Sequence, residues 1–319
     1  MAAKKVGDLD GAVLALQRVL DRQGEHAGAL AQLADVQVRR GRLDEAEETL
    51  DRAERAGKPT AFTARVRGDV AYRHRRWEDA ARAYSEADAF GERGSWALLQ
   101  LGRCRMRLGD HQGARGAAQR AVERDGSSAA WTLLGDLATA GGRLEDAETM
   151  YGRAHDRSPS DQWAYAKLVE TRLLRLSPER REREISVLLK TVGRDNRHLM
   201  GVVARLRSEA GDDDQAAETW ETRALQHGDP FARKMYAFAL RKAGRLDEAA
   251  PVLGRCLLDD PQNVILFRAY VHTQHARGAF DDLRSTLEAL LPLAGSRRGA
   301  VYGELRKLPA PVPAPQAPR

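Results

Sequence analysis

The sequence predicts an all-α protein, a right-handed solenoid of about eight helix–turn–helix repeats closed by a C-terminal capping helix. Three observations carry that expectation. First, a glycine recurs along the chain at Gly7, Gly41, Gly109, Gly142, Gly211, Gly244 and Gly278, with Arg75 and Leu176 on two rungs that lack it. The successive spacings are 34, 34, 34, 33, 34, 35, 33 and 34, and repetition at this period marks stacked repeats. Second, five residues after the rungs stand Ala12, Ala46, Ala80, Ala114, Ala147, Ala216, Ala249 and Leu283, with Arg181 as the one polar exception. Third, aromatics make up only 6% of the chain and much of the apolar content is Ala and Leu, which favours close helix packing over a sheet.

Residues 7–26 read as a half repeat. Asp8 to Arg22 forms a second-type helix with Val13, Leu16 and Leu20 on one stripe, and its first helix is missing. A solenoid normally ends in a polar cap. This end is therefore expected either to belong to a truncated piece or to pack on something, through self-association or a docked partner. Full repeats follow. Residues 27–60 are carried by Leu33-Ala34, Gly41, Ala46 and Ala53, residues 61–94 by Gly68, Ala80, Tyr84 and Ala87, and residues 95–127 by Leu98, Leu101-Gly102, Gly109, Ala114 and Ala121.

The clearest unit is 128–161. A helix from Ser128 to about Ala140 breaks at Gly141-Gly142, and a second, with Leu144, Ala147, Tyr151 and Ala154 on one stripe, ends at Ser158-Pro159-Ser160. Gly135 and Ala147 are placed where the two helices cross, because only small side chains let the axes approach. Residues 162–196 lose the turn glycine and put Arg181 at the crossing, yet Ser177-Pro178-Glu179 is a good helix start and Ile185, Leu188 and Leu189 keep the apolar face. Either Ala216 or Ala217 is the crossing residue in 197–229. Residues 230–263 carry Ala237, Gly244, Ala249 and Pro261, and residues 264–294 carry Phe267, Tyr270, Gly278, Leu283 and Leu287. A capping helix is expected over 297–307, completing a solenoid domain over 1–308. Residues 309–319 alternate proline and are expected to be an extended, flexible tail.

The unit resembles the tetratricopeptide repeat. That family has Trp, Leu-Gly and an aromatic on the first helix, then Ala, an aromatic, Ala and Pro on the second. Here Trp131, Leu134-Gly135, Ala147, Tyr151, Ala154 and Pro159 fall on the pattern, and the neighbouring units match in register.

Composition narrows the chemistry. The net charge is +6 with a pI near 9.5, but 46 acidic residues are interspersed among 52 basic ones, so nucleic acid is disfavoured as a partner. Cys104 and Cys256 lie about four repeats apart, too far for a disulfide in a solenoid. No apolar run approaches the roughly 18 residues of a membrane span, and the first residues carry no hydrophobic signal core. The expected location is the cytoplasm. No phosphate-binding loop, dinucleotide fingerprint, paired-cysteine site or nucleophile elbow occurs, so no enzyme activity, cofactor or metal is expected. His272 and His275 share a helix face but lack a third ligand, and Asp212-Asp213-Asp214 falls where acids start a helix.

The resemblance implies that first helices line an inner groove through their second, fifth, ninth, twelfth and thirteenth positions. Those rules give the candidates Phe62, Arg65, Trp96, Arg103, Trp163, Arg205, Phe231, Lys234, Phe238 and Arg268, together with Asp69 and His272. Aromatics beside guanidinium groups suit a peptide or acidic segment. Trp96 and Trp163 could instead pack between repeats. Asp69 breaks the basic clamp by which chaperone-binding members hold a terminal carboxylate. The leading expectation is a non-catalytic scaffold for a protein or peptide. The alternatives are a regulatory or substrate-presenting region of an enzyme such as a cell-surface-polymer glycosyltransferase, and an RNA-binding helical repeat.

Overall fold

The computed structural model describes residues 8–191 and 195–310. Gly7 and residues 311–319 of the proline-rich segment lie outside the described residues. Among the described residues there are eighteen α-helices and no strand. Helix α1 (Leu9–Gln23) stands alone. Helix pairs follow, each an A helix and a B helix: α2 (Ala27–Arg39) and α3 (Leu43–Ala56), α4 (Ala61–Arg73) and α5 (Trp77–Ala89), α6 (Trp96–Arg107) and α7 (His111–Asp125), α8 (Ser128–Ala140) and α9 (Leu144–Arg157). The later pairs are α10 (Gln162–Leu174) and α11 (Pro178–Thr191), α12 (Arg197–Glu209) and α13 (Asp213–His227), α14 (Pro230–Lys242) and α15 (Leu246–Asp259), α16 (Val264–Arg277) and α17 (Phe280–Leu290). A 3₁₀ turn, Gly295–Arg297, and a shorter helix than expected, α18 (Arg298–Leu305), end the order.

The chain divides into two compact units, one ending at Thr171 and the other beginning at Arg172, within α10. In the first unit α2 to α9 pack as A/B pairs, and each B helix also touches the next A helix. Ala46, Ala80, Ala114 and Ala147 are wholly buried where the pairs cross. The second unit repeats the scheme through Ala216, Ala249 and Leu283, all wholly buried. Ala217 is buried too, so the ambiguity of one position is resolved by both residues facing the core. On α1, Ala12 is buried and Val13, Leu16 and Leu20 are half-covered, with α2 packed alongside, while Leu14 is exposed.

The glycine ladder has a single geometric cause. Among the described residues, every rung except Leu176 ends an A helix in the left-handed conformation, with φ from 59° at Arg75 to 86° at Gly211. The following residue then donates its N–H to a carbonyl five positions back, as Arg143 does to Ala138 at 2.9 Å and Arg42 to Gln37 at 3.0 Å. This closure satisfies the last free carbonyls of the helix and turns the chain sharply into the B helix. Arg75 is the only residue other than glycine at positive φ among the described residues. A side chain there costs roughly 1–2 kcal/mol, offset in part by the greater freedom glycine loses on folding. Arg75→Gly is expected to stabilise the chain by about 1 kcal/mol. A urea midpoint unchanged or lowered in this variant would show that the turn stores no strain.

The rung at Leu176 lacks the left-handed turn, and Arg181 replaces what is lost. Its guanidinium donates to the carbonyls of Leu173 (2.9 Å) and Leu176 (3.3 Å), covering the end of α10. An arginine at the crossing position is therefore a cap for the preceding helix. Ile185, one turn further, remains wholly buried.

Most B helices start without a side-chain cap and rely on acids in the first turn, such as Asp44 and Glu45 or Glu145 and Asp146, which suit the positive helix end. The Asp212–Asp214 run is consumed in the same way. Asp212 accepts from the Gln215 N–H at 3.3 Å, Asp213 pairs with Lys242 at 2.9 Å, and Asp214 pairs with Arg245 at 3.3 Å. At the far end of the second unit, Val301 of α18 and Leu308 join the core, and His275 holds Glu304 at 2.9 Å.

Candidate functional site

In the first unit, the A helices put a repeating set of side chains on one face. Two depressions meet there. One, of about 610 Å³, lies over α2, α4 and α6 and contains Asp35, Arg65, Asp69, Glu92 and Trp96. The other, of about 620 Å³, lies over α6, α8 and the start of α10 and contains Arg103, Arg107, Asp136, Asp161 and Trp163. Tyr72 belongs to both. Most of these side chains occupy the second, ninth, twelfth or thirteenth position of their repeats.

Three guanidiniums line the first depression, those of Arg39, Arg65 and Arg73, and the acids gather around Arg65. Arg65 lies 2.9 Å from Asp69, 3.4 Å from Asp35 and 3.8 Å from Glu92. Burial pushes the Asp69 carboxyl above its usual range, although hydrogen bonds from the Tyr84 hydroxyl at 2.7 Å and the Trp96 indole N–H at 3.4 Å favour its charged form. Burial likewise raises Glu92, against the attraction of Arg65. Trp96 is 46% exposed, so its ring faces solvent while its polar edge is anchored. Phe62 lies under the Arg65 guanidinium at 4.9 Å and is half-buried against a core cluster.

The second depression repeats one motif of the first. Asp136 accepts from the Tyr151 hydroxyl at 2.7 Å, and burial pushes its carboxyl up. Both tyrosine hydroxyls are held well above their ordinary range, chiefly by burial. Asp161 accepts from the N–H groups of Trp163 (3.0 Å) and Ala164 (3.1 Å) and from the Ser128 hydroxyl (2.9 Å). Trp163, also 46% exposed, has Lys167 over its ring at 5.1 Å. Arg103 is exposed, with a 3.5 Å hydrogen bond to Gln100.

The sequence pointed to Phe62, Arg65, Asp69, Trp96, Arg103 and Trp163 here. It missed Tyr72, Arg107 and the paired roles of Tyr84 and Tyr151. The missed signal is a Gly-Asp pair followed by a tyrosine fifteen residues after the aspartate, seen at Gly68-Asp69 with Tyr84 and at Gly135-Asp136 with Tyr151.

The second unit holds the other candidates. Arg205 pairs with Glu209 at 2.6 Å. Phe231 is exposed on one side, meets Trp220 edge-on at 5.9 Å and has Lys234 at 5.7 Å. Phe238 packs half-buried against the core, and Arg268 and His272 are exposed.

Cys104 and Cys256 are both buried and unbonded to each other. Burial pushes the Cys104 thiol up to about 11, which leaves little thiolate for nucleophilic chemistry. Among the described residues no cluster of His, Cys, Asp and Glu could hold a metal ion, and no helix is long and apolar enough to cross a membrane.

Models of the tetratricopeptide repeat match residues 4–61, and residues 65–129 and 99–162. Among solved structures, the chain is similar to a tetratricopeptide repeat protein from Parabacteroides merdae, at 15% identity and a TM-score of 0.58, over 75% of this chain and 95% of that one. It is also similar to a chain of the APC/C hetero-tetramer Cut9-Hcn1, at 13% identity and a TM-score of 0.56, over 85% of this chain and 47% of that one. No curated protein matches significantly.

Proposed function

The chain belongs to the tetratricopeptide-repeat family, and from that premise we propose that it is a non-catalytic scaffold whose first unit binds an extended protein segment along its A-helix face. Repeats of this family generally bind proteins or peptides. The observation that carries the finer reading is the pair of indoles. Trp96 and Trp163 are each 46% exposed on that face, one in each depression, and neighbouring charges hold both. Rigid aromatics beside guanidinium groups make good binding anchors, because they offer large contact area at little entropic cost. In the second unit, Phe231, Lys234 and Arg268 present a separate A-helix face that could contribute its own contacts. With Asp212–Asp214 used up in helix starts and ion pairs, no observation favours a catalytic reading. Residence in the cytoplasm is part of the proposal, in keeping with two buried free thiols.

The test begins with a random twelve-residue peptide library displayed against the full chain. Trp96→Ala and Trp163→Ala should each weaken the enriched peptides by about 2 kcal/mol or more, with the variants folded by circular dichroism. Undiminished affinity in both variants would place the binding surface elsewhere.

A further inference from the structure

The guanidiniums of the first unit's A-helix face fall into two classes. Arg65 and Arg39 are neutralised from within: Arg39 lies 3.0 Å from Asp35, and Arg65 sits among Asp35, Asp69 and Glu92. Among the described residues, Arg73, Arg103 and Arg107 have no carboxylate within ion-pair distance. Arg103 has a long bond to Gln100 and acts on Asp136 through its charge from beyond ion-pair distance, and Arg107 lies 6.0 Å from the Trp77 ring. All three are exposed, and all three line the depressions that meet at Tyr72. The acids beside them are spoken for. Asp69 and Asp136 hold the buried tyrosine hydroxyls, and Asp161 holds the start of α10. The uncommitted charge on this face is therefore positive.

Arg73 and Arg107 occupy the same repeat position, 34 residues apart. Packed helices stand about 8–10 Å apart, which sets the scale for the separation between equivalent positions on neighbouring A helices. An extended chain in the polyproline conformation brings every third side chain to the same face, at intervals of about 9 Å. Resting on the groove reading above, we propose that Arg73, Arg103 and Arg107 form a register for an acidic protein segment whose Asp or Glu residues recur every third position. Such a segment sets carboxylates opposite the arginines and uncharged residues opposite Asp69, Glu92 and Asp136. A nucleic-acid strand carries a phosphate at every nucleotide and would bring negative charge against those acids.

The probe is a labelled peptide of Glu-Pro-Ala repeated four times, acetylated and amidated so that no terminal charge takes part. It is titrated against the full chain at low salt by fluorescence anisotropy. The comparisons are a peptide of the same composition with the glutamates contiguous, a Lys-for-Glu version, and a mixed single-stranded RNA of similar length. The spaced acidic peptide should bind tightest, and Arg73→Ala with Arg107→Ala should weaken it roughly tenfold or more. Arg73→Glu with Arg107→Glu should transfer preference to the lysine peptide, a gain that misfolding could not produce. Preference for the lysine peptide by the unaltered chain, with loss on Trp163→Ala, would overturn the acidic register and leave the groove reading standing. No binding of the acidic peptide, or equal binding of the contiguous isomer, would overturn the register. RNA binding tighter than any peptide would overturn both readings.

Discussion

Gly135→Ala is expected to destabilise the first unit by about 2 kcal/mol, although alanine is the better helix former. A Cβ added at Gly135 would stand 2.5 Å from Cε1, 2.7 Å from Cδ1 and 2.8 Å from Cζ of Tyr151. That ring cannot step aside. It is 1% exposed, and its hydroxyl is tied to Asp136 at 2.7 Å. Either α8 and α9 separate or the buried hydrogen bond breaks, and each route costs more than the roughly 1 kcal/mol gained in helix propensity. The control is Gly152→Ala on α9, where an added Cβ meets nothing within 4 Å. That change should stabilise by up to about 1 kcal/mol. Urea unfolding of the two variants reads the difference directly, and equal stabilities would mean that the crossing is not tight. Gly68 faces Tyr84 at 2.6 Å in the same way, so the same sign is expected there.

The fold was legible because a few geometric demands recur with the repeat. A helix that must end and reverse within a few residues needs a left-handed residue, and glycine takes that conformation at least cost. A close crossing needs a small residue, which is why Ala46, Ala80, Ala114 and Ala147 stood out and proved wholly buried. Arg181 was harder. Read against the repeat it was a defect at a crossing, and its use as a cap depends on carbonyls freed only because the Leu176 turn is built differently. The site was legible in position more than in state. Repeat register points equally to Phe62, Trp96 and Trp163, yet Phe62 is half-buried against the core while both tryptophans face solvent. Similarly, it points to both Arg65 and Arg103. Part of their difference is local, since Asp69 stands one turn after Arg65 and Arg107 one turn after Arg103. The rest comes from Asp35, thirty residues earlier, and Glu92, which converge on Arg65 only when the helices stack.

Arg223→Ala should cost about 3 kcal/mol, the scale for breaking a mostly buried ion pair by removing one partner. The side chain is 11% exposed and lies 5.2 Å from the Trp220 ring and 5.6 Å from that of Phe231. It fits because residue 201 is glycine: a Cβ there would come within 2.5 Å of its Nη1. Its Nε and Nη2 both donate to Asp229, at 2.9 and 2.5 Å, and Asp229 in turn caps α14 by accepting from the Phe231 N–H at 2.9 Å. Burial works to raise the Asp229 carboxyl, but the Arg223 hydrogen bond and charge, helped by backbone N–H groups, hold it below the usual carboxylate range. A carboxyl lowered in the folded state adds stability that is present above its unfolded value, near pH 4, and lost as pH falls through the folded one. The penalty of Arg223→Ala should therefore be largest at neutral pH and shrink below about pH 4, where the unaltered chain loses the same contribution. Chemical denaturation of both proteins at pH 7 and pH 3 tests this. A penalty equal at the two values would mean that Arg223 matters for filling the space beside Trp220 and Phe231 and not for its charge. In either case Phe231 is braced by this arginine, so a binding defect in Phe231→Ala could be assigned to a lost contact only if the Arg223–Asp229 pair stays intact.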